Sequence, residues 1–155
     1  KPSSAASDVY KRQREEGLPP VVCSGYRSRE LQQTLFDNRV ERCLDEGIAQ
    51  EDAVEEASRY VAQPGTSEHE LGLAADIVSE NYQLLVEEQE NTAEQQWLME
   101  HCTEYGFILR YPKDKTDLTG VSYEPWHYRY VGKEAAAEIY EQQICLEEYL
   151  ERIKE

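Results

Sequence analysis

The sequence has 155 residues, of which 39% are hydrophobic and 31% are charged, and this composition is usual for a globular domain. We predict a single domain over residues 1–155, because a chain of this length can bury its own core. Acidic residues (32) outnumber basic ones (16), which gives a formal net charge of −16. Such a surface repels phosphate backbones, so we predict no nucleic-acid partner. No apolar run approaches the roughly 18–20 residues that cross a bilayer, which predicts no transmembrane segment.

The first half of the chain predicts helices separated by one short strand. Apolar residues recur at helical spacing in the helical segments, whereas the strand is a short apolar run that follows turn residues. Gly17, Pro19 and Pro20 end the first helical segment, and Gly47 suits a C-terminal cap of the next one. The predicted elements, in chain order, are a helix over 4–16, a strand over 21–23, a turn over 24–28, and helices over 29–46 and 50–62.

The second half of the chain predicts three strands and two helices. Thr92 and Gln95 have the spacing of a capping box, and Gly106 follows the helix that this box would open. The predicted elements are strands over 73–78, 107–109 and 127–131, helices over 92–105 and 133–155, and a polar loop over 111–120. Strands and helices mix without a regular β-α-β rhythm. This order favours an α+β fold with a small antiparallel sheet flanked by helices.

Four cysteines leave two interpretations open: Cys23, Cys43, Cys102 and Cys145. None belongs to a Cys-x-x-Cys pair, so a thiolate zinc site or a redox motif is not indicated. An even number suits a disulfide-bonded secreted protein, in which four cysteines allow three pairings. Buried free thiols are the equal alternative, because cysteine packs well as a small apolar residue.

Two of the three histidines have acidic residues at suggestive offsets. His69 precedes Gly72, and Asp76 follows in a predicted strand. Glu124 precedes His127 by three residues at the start of another strand. Imidazole and carboxylate are good zinc ligands, and three protein ligands leave a position open for water. A neighbouring carboxylate would then take the proton of that water during peptide hydrolysis.

By spacing alone this pattern is weak, because a histidine beside a carboxylate more often makes an ordinary structural hydrogen bond. The pattern is also different from the His-Glu-x-x-His helix of many metalloproteases. The third histidine, His101, matches no motif, and we interpret it as a structural or surface residue.

The motifs together resemble those of the VanY-type D-alanyl-D-alanine carboxypeptidases, which are related to L,D-carboxypeptidases and VanX-type dipeptidases. The patterns Ser-x-His-x-x-Gly-x-Ala-x-Asp and Glu-Pro-Trp-His are similar to the second and last motifs of that family. Residues 24–28 with Gln32 resemble its first motif, and residues 105–112 resemble its third conserved stretch. The four motifs occur in the family's order. Glu70 departs from the pattern, because relatives often have an amide there, which bears on metal affinity and on preference for charged substrates.

The resemblance implies a role for each residue that matches a motif. Arg27 suits an oxyanion because the charge of its guanidinium is fixed, although a salt bridge is its structural alternative. Tyr111 and Trp126 are equally suited to a core, and Ser67 and Gln32 to structural roles. The implied roles are zinc ligands for His69, Asp76 and His127, general base for Glu124, oxyanion stabilisation for Arg27, and substrate contacts for Ser67, Gln32, Tyr111 and Trp126.

The resemblance also implies the zinc D,D-peptidase (hedgehog-like) fold and a Zn²⁺-dependent activity. The expected reaction is hydrolysis of the C-terminal D-Ala of peptidoglycan stem peptides. One alternative is an L,D-carboxypeptidase that acts on tetrapeptide stems. Another is a non-catalytic cell-wall binding module with a structural metal. Its metal site would have four protein ligands, or would lack the neighbouring carboxylate that acts as general base. We expect a monomer that is extracellular or attached to the cell surface, since the substrate is the bacterial wall and the sequence begins at Lys1 without a signal or anchor segment.

Overall fold

The computed structural model describes residues 2–154 and has a four-stranded antiparallel sheet with helices packed against it. The strands are β1 (Pro20–Ser24), β2 (Ala74–Ser79), β3 (Phe107–Leu109) and β4 (His127–Tyr130). The helices are α1 (Pro2–Glu15), α2 (Arg29–Asp45), α3 (Ala53–Ser58), α4 (Ala93–His101), α5 (Thr116–Thr119), α6 (Lys133–Gln142) and α7 (Leu146–Arg152). The predicted α+β class with a small antiparallel sheet is confirmed. Within the described range, no helix is long and apolar enough to cross a membrane.

The strand order β1-β2-β4-β3 places β2 and β4 in the middle of the sheet. All six residues of β2 are buried. The register pairs Asp76 with His127 across β2 and β4, and it pairs Ser24 of β1 with Asp76 from the other side. An irregularity between Val22 and Ser24 shifts the register of β1, as a β-bulge does. Residues from three segments therefore meet at one end of the sheet.

Alternation along the two central strands separates the core from the polar site. Successive side chains of a strand point to opposite faces of a sheet. Ala75 and Ile77 of β2 and Tyr128 of β4 belong to the main hydrophobic cluster, which also includes Leu98 of α4. Asp76 lies between Ala75 and Ile77, and His127 precedes Tyr128. Both therefore point to the opposite face. The same two strands supply the core on one face and the functional side chains on the other.

Two smaller clusters hold helices α2 and α3 and helices α6 and α7. Phe36 and Cys43 of α2 pack against Ala53 and Ala57 of α3, which fixes this helical pair. In the second cluster, Ile108 of β3 packs against residues of the two C-terminal helices and of the segment between them: Ala136, Ile139, Ile144 and Leu146.

The predicted helix over 133–155 is wrong in its continuity. The chain turns at Gln143, whose φ of 54° lies in the left-handed region, and a second helix begins at Leu146. The break allows Ile144 and Leu146 to pack against Ile108, whereas a straight helix would carry them away from the sheet. The residue Glu155 lies outside the described residues.

Several other boundaries differ from the prediction. The helix predicted over 50–62 is confined to α3, Ala53–Ser58. The predicted polar loop over 111–120 contains the short helix α5. The helix predicted over 92–105 changes from α to 3₁₀ geometry at Cys102. The remaining predicted helices and strands agree with the structure to within one or two residues, and all four cysteines are free thiols.

The predicted capping box is half correct. The hydroxyl of Thr92 accepts a hydrogen bond from the backbone N–H of Gln95 at 3.2 Å. The Gln95 side chain does not return this bond to the Thr92 backbone. It is fully buried, donates to the carbonyl of Ile77 and accepts from the hydroxyl of Tyr128. The glutamine thus connects α4 to both central strands, and tertiary contacts override the local motif.

A tight turn at Gly106 connects the end of the 3₁₀ segment to β3. Gly106 has a φ of +85°, and an added Cβ would lie 3.0 Å from Tyr130 Cε2 and 3.1 Å from the backbone carbon of Gly132. Gly17 has a similar φ of +75°, but an added Cβ would meet no atom within 4 Å. The two glycines share the backbone requirement and differ only in their surroundings.

We predict that Gly106→Ala lowers the free energy of unfolding more than Gly17→Ala does. The left-handed backbone should cost each alanine roughly 1–2 kcal/mol. At Gly106, overlap with backbone atoms should add about 1–3 kcal/mol. Urea unfolding of the two variants measures the difference. Equal losses in both would contradict the close approach of Gly106 to β4.

Candidate metal centre and catalytic site

The three predicted ligands lie together at one end of the sheet. Asp76 and His127 face each other across β2 and β4, a pairing that places side chains on the same face of an antiparallel sheet. His69 comes from the 3₁₀ turn Glu68–Leu71, just before β2. One atom from each side chain lies within 4.8 Å of the others, and all three residues are buried.

The His69 side chain is positioned by the turn that precedes β2. Gly72 ends this turn with a φ of 67°, a left-handed conformation that glycine adopts at little cost. The backbone N–H of Arg27 donates to the carbonyl of His69 at 3.1 Å. In the opposite direction, His69 Nδ1 donates to the carbonyl of Gly25 at 2.7 Å. These bonds connect the first and second sequence motifs and direct His69 Nε2 towards Asp76.

The spacing of the ligand atoms fits a divalent metal ion. Asp76 Oδ1 lies 3.3 Å from His69 Nε2 and 3.2 Å from His127 Nδ1. Ligands at about 2.0–2.1 Å from a tetrahedral zinc ion lie about 3.3 Å apart. Asp76 Oδ1 is buried and has no hydrogen-bond partner within residues 2–154, despite these two close nitrogens. A buried carboxylate oxygen without a partner is costly, and a metal ion would satisfy it.

Glu68 orients the ring of His127, the third predicted ligand, a role that no sequence motif indicated. His127 Nε2 donates to Glu68 Oε2 at 3.3 Å, so that Nδ1 of the same ring faces Asp76. The other oxygen of Glu68 accepts from Arg110 Nε at 2.6 Å and lies 2.8 Å from a terminal nitrogen of Arg129. Metal-binding histidines commonly donate their second nitrogen to a carboxylate in this way.

The two arginines give Glu68 a charged partner on the side away from the site. Arg110 also donates twice to Glu147 of α7, at 2.9 and 2.6 Å. The kink after α6 brings Glu147 to this position. The orientation of His127 is therefore connected through Glu68 and Arg110 to the C-terminal helix.

The pKa values of the site show a strong coupling between acids and imidazoles. Burial by itself would raise the pKa of Glu68, but hydrogen bonds from His127 and Arg110 hold this pKa at about 2. Burial would also raise the pKa of Asp76, and the two imidazoles hold it far below its usual range. The pKa of His127 is about 9, because the neighbouring carboxylates of Asp76 and Glu68 stabilise the protonated ring and outweigh the opposing effect of burial. A metal ion would take the position of this proton.

Glu124 lies beside the ligand cluster without belonging to it. Its Oε2 lies 3.5 Å from His127 Nδ1, the nitrogen that faces the site. Its backbone N–H donates to the carbonyl of Tyr111 at 3.2 Å, which holds the Glu-Pro-Trp-His turn against the preceding loop. Burial raises the pKa of Glu124 to about 8, and the nearby carboxylate of Asp76 contributes to the rise. A carboxylate with a raised pKa is a stronger base than an exposed one.

Arg27 contacts the cluster directly. A terminal nitrogen of Arg27 donates to Asp76 Oδ2 at 2.8 Å, and its Nε donates to Ser24 Oγ at 2.8 Å. Its remaining nitrogen donates to Gln32 Oε1 at 3.2 Å. Gln32 is fully buried and donates to the carbonyl of Ala62 at 2.8 Å. In this structure Gln32 therefore holds Arg27, and its amide has protein partners at both ends.

The other predicted residues line one cleft of about 610 Å³ that opens from the cluster. Ser67 is buried in its wall, 5% exposed. The ring of Tyr111 lies 4.9 Å from the ring of His127, measured between centroids. Trp126 also lines the cleft, while its backbone carbonyl accepts from Ile77 N–H at 2.8 Å. All nine predicted site residues thus lie at the cleft. His101 lies elsewhere, against Trp97 and Glu104.

Residues 3–133 match the family model VanY, described as D-alanyl-D-alanine carboxypeptidase. The chain belongs to this family. A D-alanyl-D-alanine carboxypeptidase of Enterococcus faecalis (strain ATCC 700802 / V583) is 49% identical to this VanY-family chain over 143 residues, which are 92% of the chain and 52% of that relative. The chain spans about half the length of the curated relatives it first matches.

Solved structures of zinc peptidases share the fold of this VanY-family chain. VanYB in complex with D-Alanine-D-Alanine has a TM-score of 0.86 and 47% identity, and the match covers 96% of this chain and 80% of that chain. A mutant of the VanB-type D,D-pentapeptidase VanY in complex with Zn(II) has a TM-score of 0.84 at the same identity and coverage. The LdcB LD-carboxypeptidase has a TM-score of 0.82 and 42% identity, over 96% of this chain and 65% of that chain. The predicted zinc D,D-peptidase fold is confirmed.

The departure at Glu70 has a local structural explanation. Its Oε2 accepts a hydrogen bond from the backbone N–H of Gly65 at 2.8 Å, which ties the segment before His69 into a closed loop. The amide of a glutamine could accept the same bond. Glu70 is therefore a suitable control for Glu68, because both acids flank His69 and only Glu68 contacts the cluster.

We predict that Glu68→Gln weakens the binding of a divalent metal ion by about 10–100-fold. The amide keeps the size of the side chain but loses the charge that orients His127. Competition with a chelator measures the metal affinity, and circular dichroism confirms that the variant is folded. Glu70→Gln should keep the affinity of the unsubstituted chain. An unchanged affinity in folded Glu68→Gln would show that His127 is oriented without this carboxylate.

Proposed function

We propose that this chain is a zinc-dependent D-alanyl-D-alanine carboxypeptidase, which hydrolyses the C-terminal D-Ala of peptidoglycan stem peptides. The observation that carries the proposal is the cluster of His69, Asp76 and His127 at zinc-like spacing, with Glu124 adjacent. Membership of the VanY family and the likeness to a zinc complex of VanY support it.

In this proposal His69 Nε2, Asp76 Oδ1 and His127 Nδ1 hold the zinc ion. When bound, zinc polarises the scissile carbonyl and lowers the pKa of a water molecule. Three protein ligands leave a fourth position for water or substrate. Glu68 and the Gly25 carbonyl fix the two imidazole rings, so the ligand nitrogens need no reorientation when the metal binds.

Glu124 serves as general base in this proposal. Its position beside His127 places a carboxylate oxygen next to the ligand cluster, where it can take the proton of the attacking water. The proton then passes from Glu124 to the nitrogen of the leaving amino acid. Burial, which raises the pKa of Glu124, makes its carboxylate a stronger base than an exposed one.

Arg27 stabilises the negative charge that develops on the scissile carbonyl oxygen. Its guanidinium is held by Ser24, Gln32 and Asp76, so it is ordered before substrate arrives. Such preorganised donors are effective because they need not reorient during the reaction. Ser67, two residues before His69, suits a contact to the carboxylate at the end of the peptide. Tyr111 and Trp126 would line the subsites on either side.

Two alternatives differ in what they require. An L,D-carboxypeptidase would use the same cluster on a tetrapeptide stem, and LdcB shares the fold at a lower identity than VanYB does. A wall-binding module with a structural metal would need a closed four-ligand site or no base. Within residues 2–154 the metal-binding cluster has three residues, and Glu124 lies beside it.

A cell-wall substrate further suggests an extracellular or surface location, which we propose together with a monomeric state.

We predict that Glu124→Ala keeps its zinc and lowers the turnover rate by about 10²–10⁴-fold, because the base is separate from the ligands. Metal content by elemental analysis and hydrolysis of a stem pentapeptide are measured on the same preparation. Glu51→Ala, which removes an exposed carboxylate from the α2–α3 connection, is the matched control. Loss of zinc from Glu124→Ala would instead identify Glu124 as a ligand.

We predict that the zinc-loaded chain releases one D-Ala from a stem pentapeptide with a free C-terminus, and little from the tetrapeptide. The products are identified by mass spectrometry. A pentapeptide with a C-terminal amide should be a poor substrate, because a carboxypeptidase binds the terminal carboxylate. Preferential cleavage of the tetrapeptide would favour the L,D-carboxypeptidase alternative. Equal cleavage of the free-acid and amidated pentapeptides would indicate an endopeptidase.

A further inference from the structure

The cleft that opens from the ligand cluster continues along helix α2. The residues of α2 that line it are Gln32, Leu35, Asn38, Arg39 and Arg42. Their spacing of three and four positions defines one stripe of the helix. Gln32 lies at the inner end of this stripe, where it contacts Arg27. The stripe therefore leads from the catalytic cluster outward along one wall.

Helix geometry gives the length of this wall. Arg39 follows Gln32 by two helical turns, which corresponds to about 10 Å along the axis, and Arg42 lies about 15 Å from Gln32. An extended peptide advances about 3.3 Å per residue. A peptide whose scissile bond lies near Arg27 would reach Arg39 after about three residues. The cleft volume of about 610 Å³ lies within the range of sites that hold a ligand of this size.

The two ends of the cleft differ in their charged groups. The inner end contains the carboxylates of Glu68, Asp76 and Glu124 around the imidazoles, together with the guanidinium of Arg27. The α2 stripe contributes two arginines and no carboxylate to the outer end, whereas the chain as a whole has twice as many acids as bases. Glu87, on the opposite segment, is the one further acid among the residues that line the described cleft. A positive region inside a cleft of a protein with a net charge of −16 is a local exception.

Arg39 is ordered and has unused hydrogen-bonding capacity. Its guanidinium carbon lies 4.2 Å from the centroid of the Tyr60 ring, a stacking contact that fixes the side chain. Its Nε is buried and has no hydrogen-bond partner among residues 2–154. A terminal nitrogen of Arg39 forms an ion pair with the exposed carboxylate of Glu46 at 3.7 Å, a distance longer than a hydrogen bond, so its donors remain available to a ligand. Arg42 is exposed and forms no ion pair within the same range.

We propose that Arg39, assisted by Arg42, forms a subsite for a carboxylate on the substrate peptide, about three residues before the scissile bond. Guanidinium matches carboxylate geometry with two parallel donors, and stacking on Tyr60 preorganises it. The subsite selects the amino-terminal part of the peptide, whereas the ligand cluster acts on its end. This inference rests on the proposed peptidase function, because it takes the scissile bond as the reference point.

The test measures binding separately from hydrolysis. The zinc-loaded protein with Glu124→Ala serves as the background, so that the peptides remain intact during calorimetry. The peptides are made in matched pairs that differ only by Glu or Gln at a single position. That position lies two, three or four residues before the scissile bond. We expect the Glu peptide to bind about tenfold more tightly than its Gln partner at one of these positions, because hydrogen bonds to charged groups are the stronger ones.

Substitution then identifies the arginines. Arg39→Gln should reduce the Glu/Gln affinity ratio towards one, and Arg42→Gln should reduce it in part. Arg12→Gln is the control, because Arg12 is an exposed arginine of α1 away from the cleft and its loss changes the net charge equally. Measurement at about 0.15 M salt limits long-range charge effects to roughly 8 Å. If Arg39→Gln fails to fold, the exposed Arg42→Gln still tests the subsite.

Equal binding of the Glu and Gln peptides at all three positions would overturn the proposal. A ratio that survives both arginine substitutions, or that falls equally with Arg12→Gln, would do the same. The outcome is independent of the proposed reaction. If the chain without substitutions cleaves neither peptide while the affinity ratio persists and depends on Arg39, the carboxylate subsite stands and the peptidase function fails.

Discussion

The buried carboxylate of Asp76 is the constraint on which the rest of the site depends. It lies on a central strand with one oxygen bound by Arg27 and the other directed at two imidazole nitrogens without a hydrogen bond. A buried anion of this kind is tolerated only when cations surround it. The antiparallel pairing with His127, the turn that carries His69 and the loop that carries Arg27 together supply that environment.

A further group of charged residues lies behind the ligand cluster. Glu68 compensates the far side of His127, and Arg110 and Arg129 compensate Glu68 in turn. Arg110 continues to Glu147, so the C-terminal helix contributes to the orientation of a ligand that lies on the sheet. His127, Glu68 and Arg110 each lie between two groups of opposite charge in this series. Removal of one member would leave its neighbours buried and unpaired, which is why a substitution at Glu68 should affect metal binding.

The two ends of the cleft have different residues and different proposed roles. Its inner end is rich in carboxylates, which we propose to bind a metal or to move a proton, and its outer end is lined by arginines of α2. A single helix connects the two, because Gln32 near its start holds Arg27, the proposed oxyanion donor, and Arg39 two turns later lines the outer cleft. The rigidity of α2 thus fixes the distance between the proposed reaction centre and the proposed recognition subsite.

The sequence by itself determined the α+β class, most helices and strands, and a set of candidate residues that the fold brings into one cleft. These features depend on local periodicity, turn residues and short motifs, all of which involve residues close together in the sequence. It did not determine the break between α6 and α7, because the packing of Ile144 and Leu146 against Ile108 involves residues far apart in the chain. Nor did it determine that the buried side chain of Gln95 bonds to Ile77 and Tyr128 of the central strands. Glu68 and Arg39 were indistinguishable among the 32 acidic and 16 basic residues, since only tertiary structure decides which charges are buried and what they face.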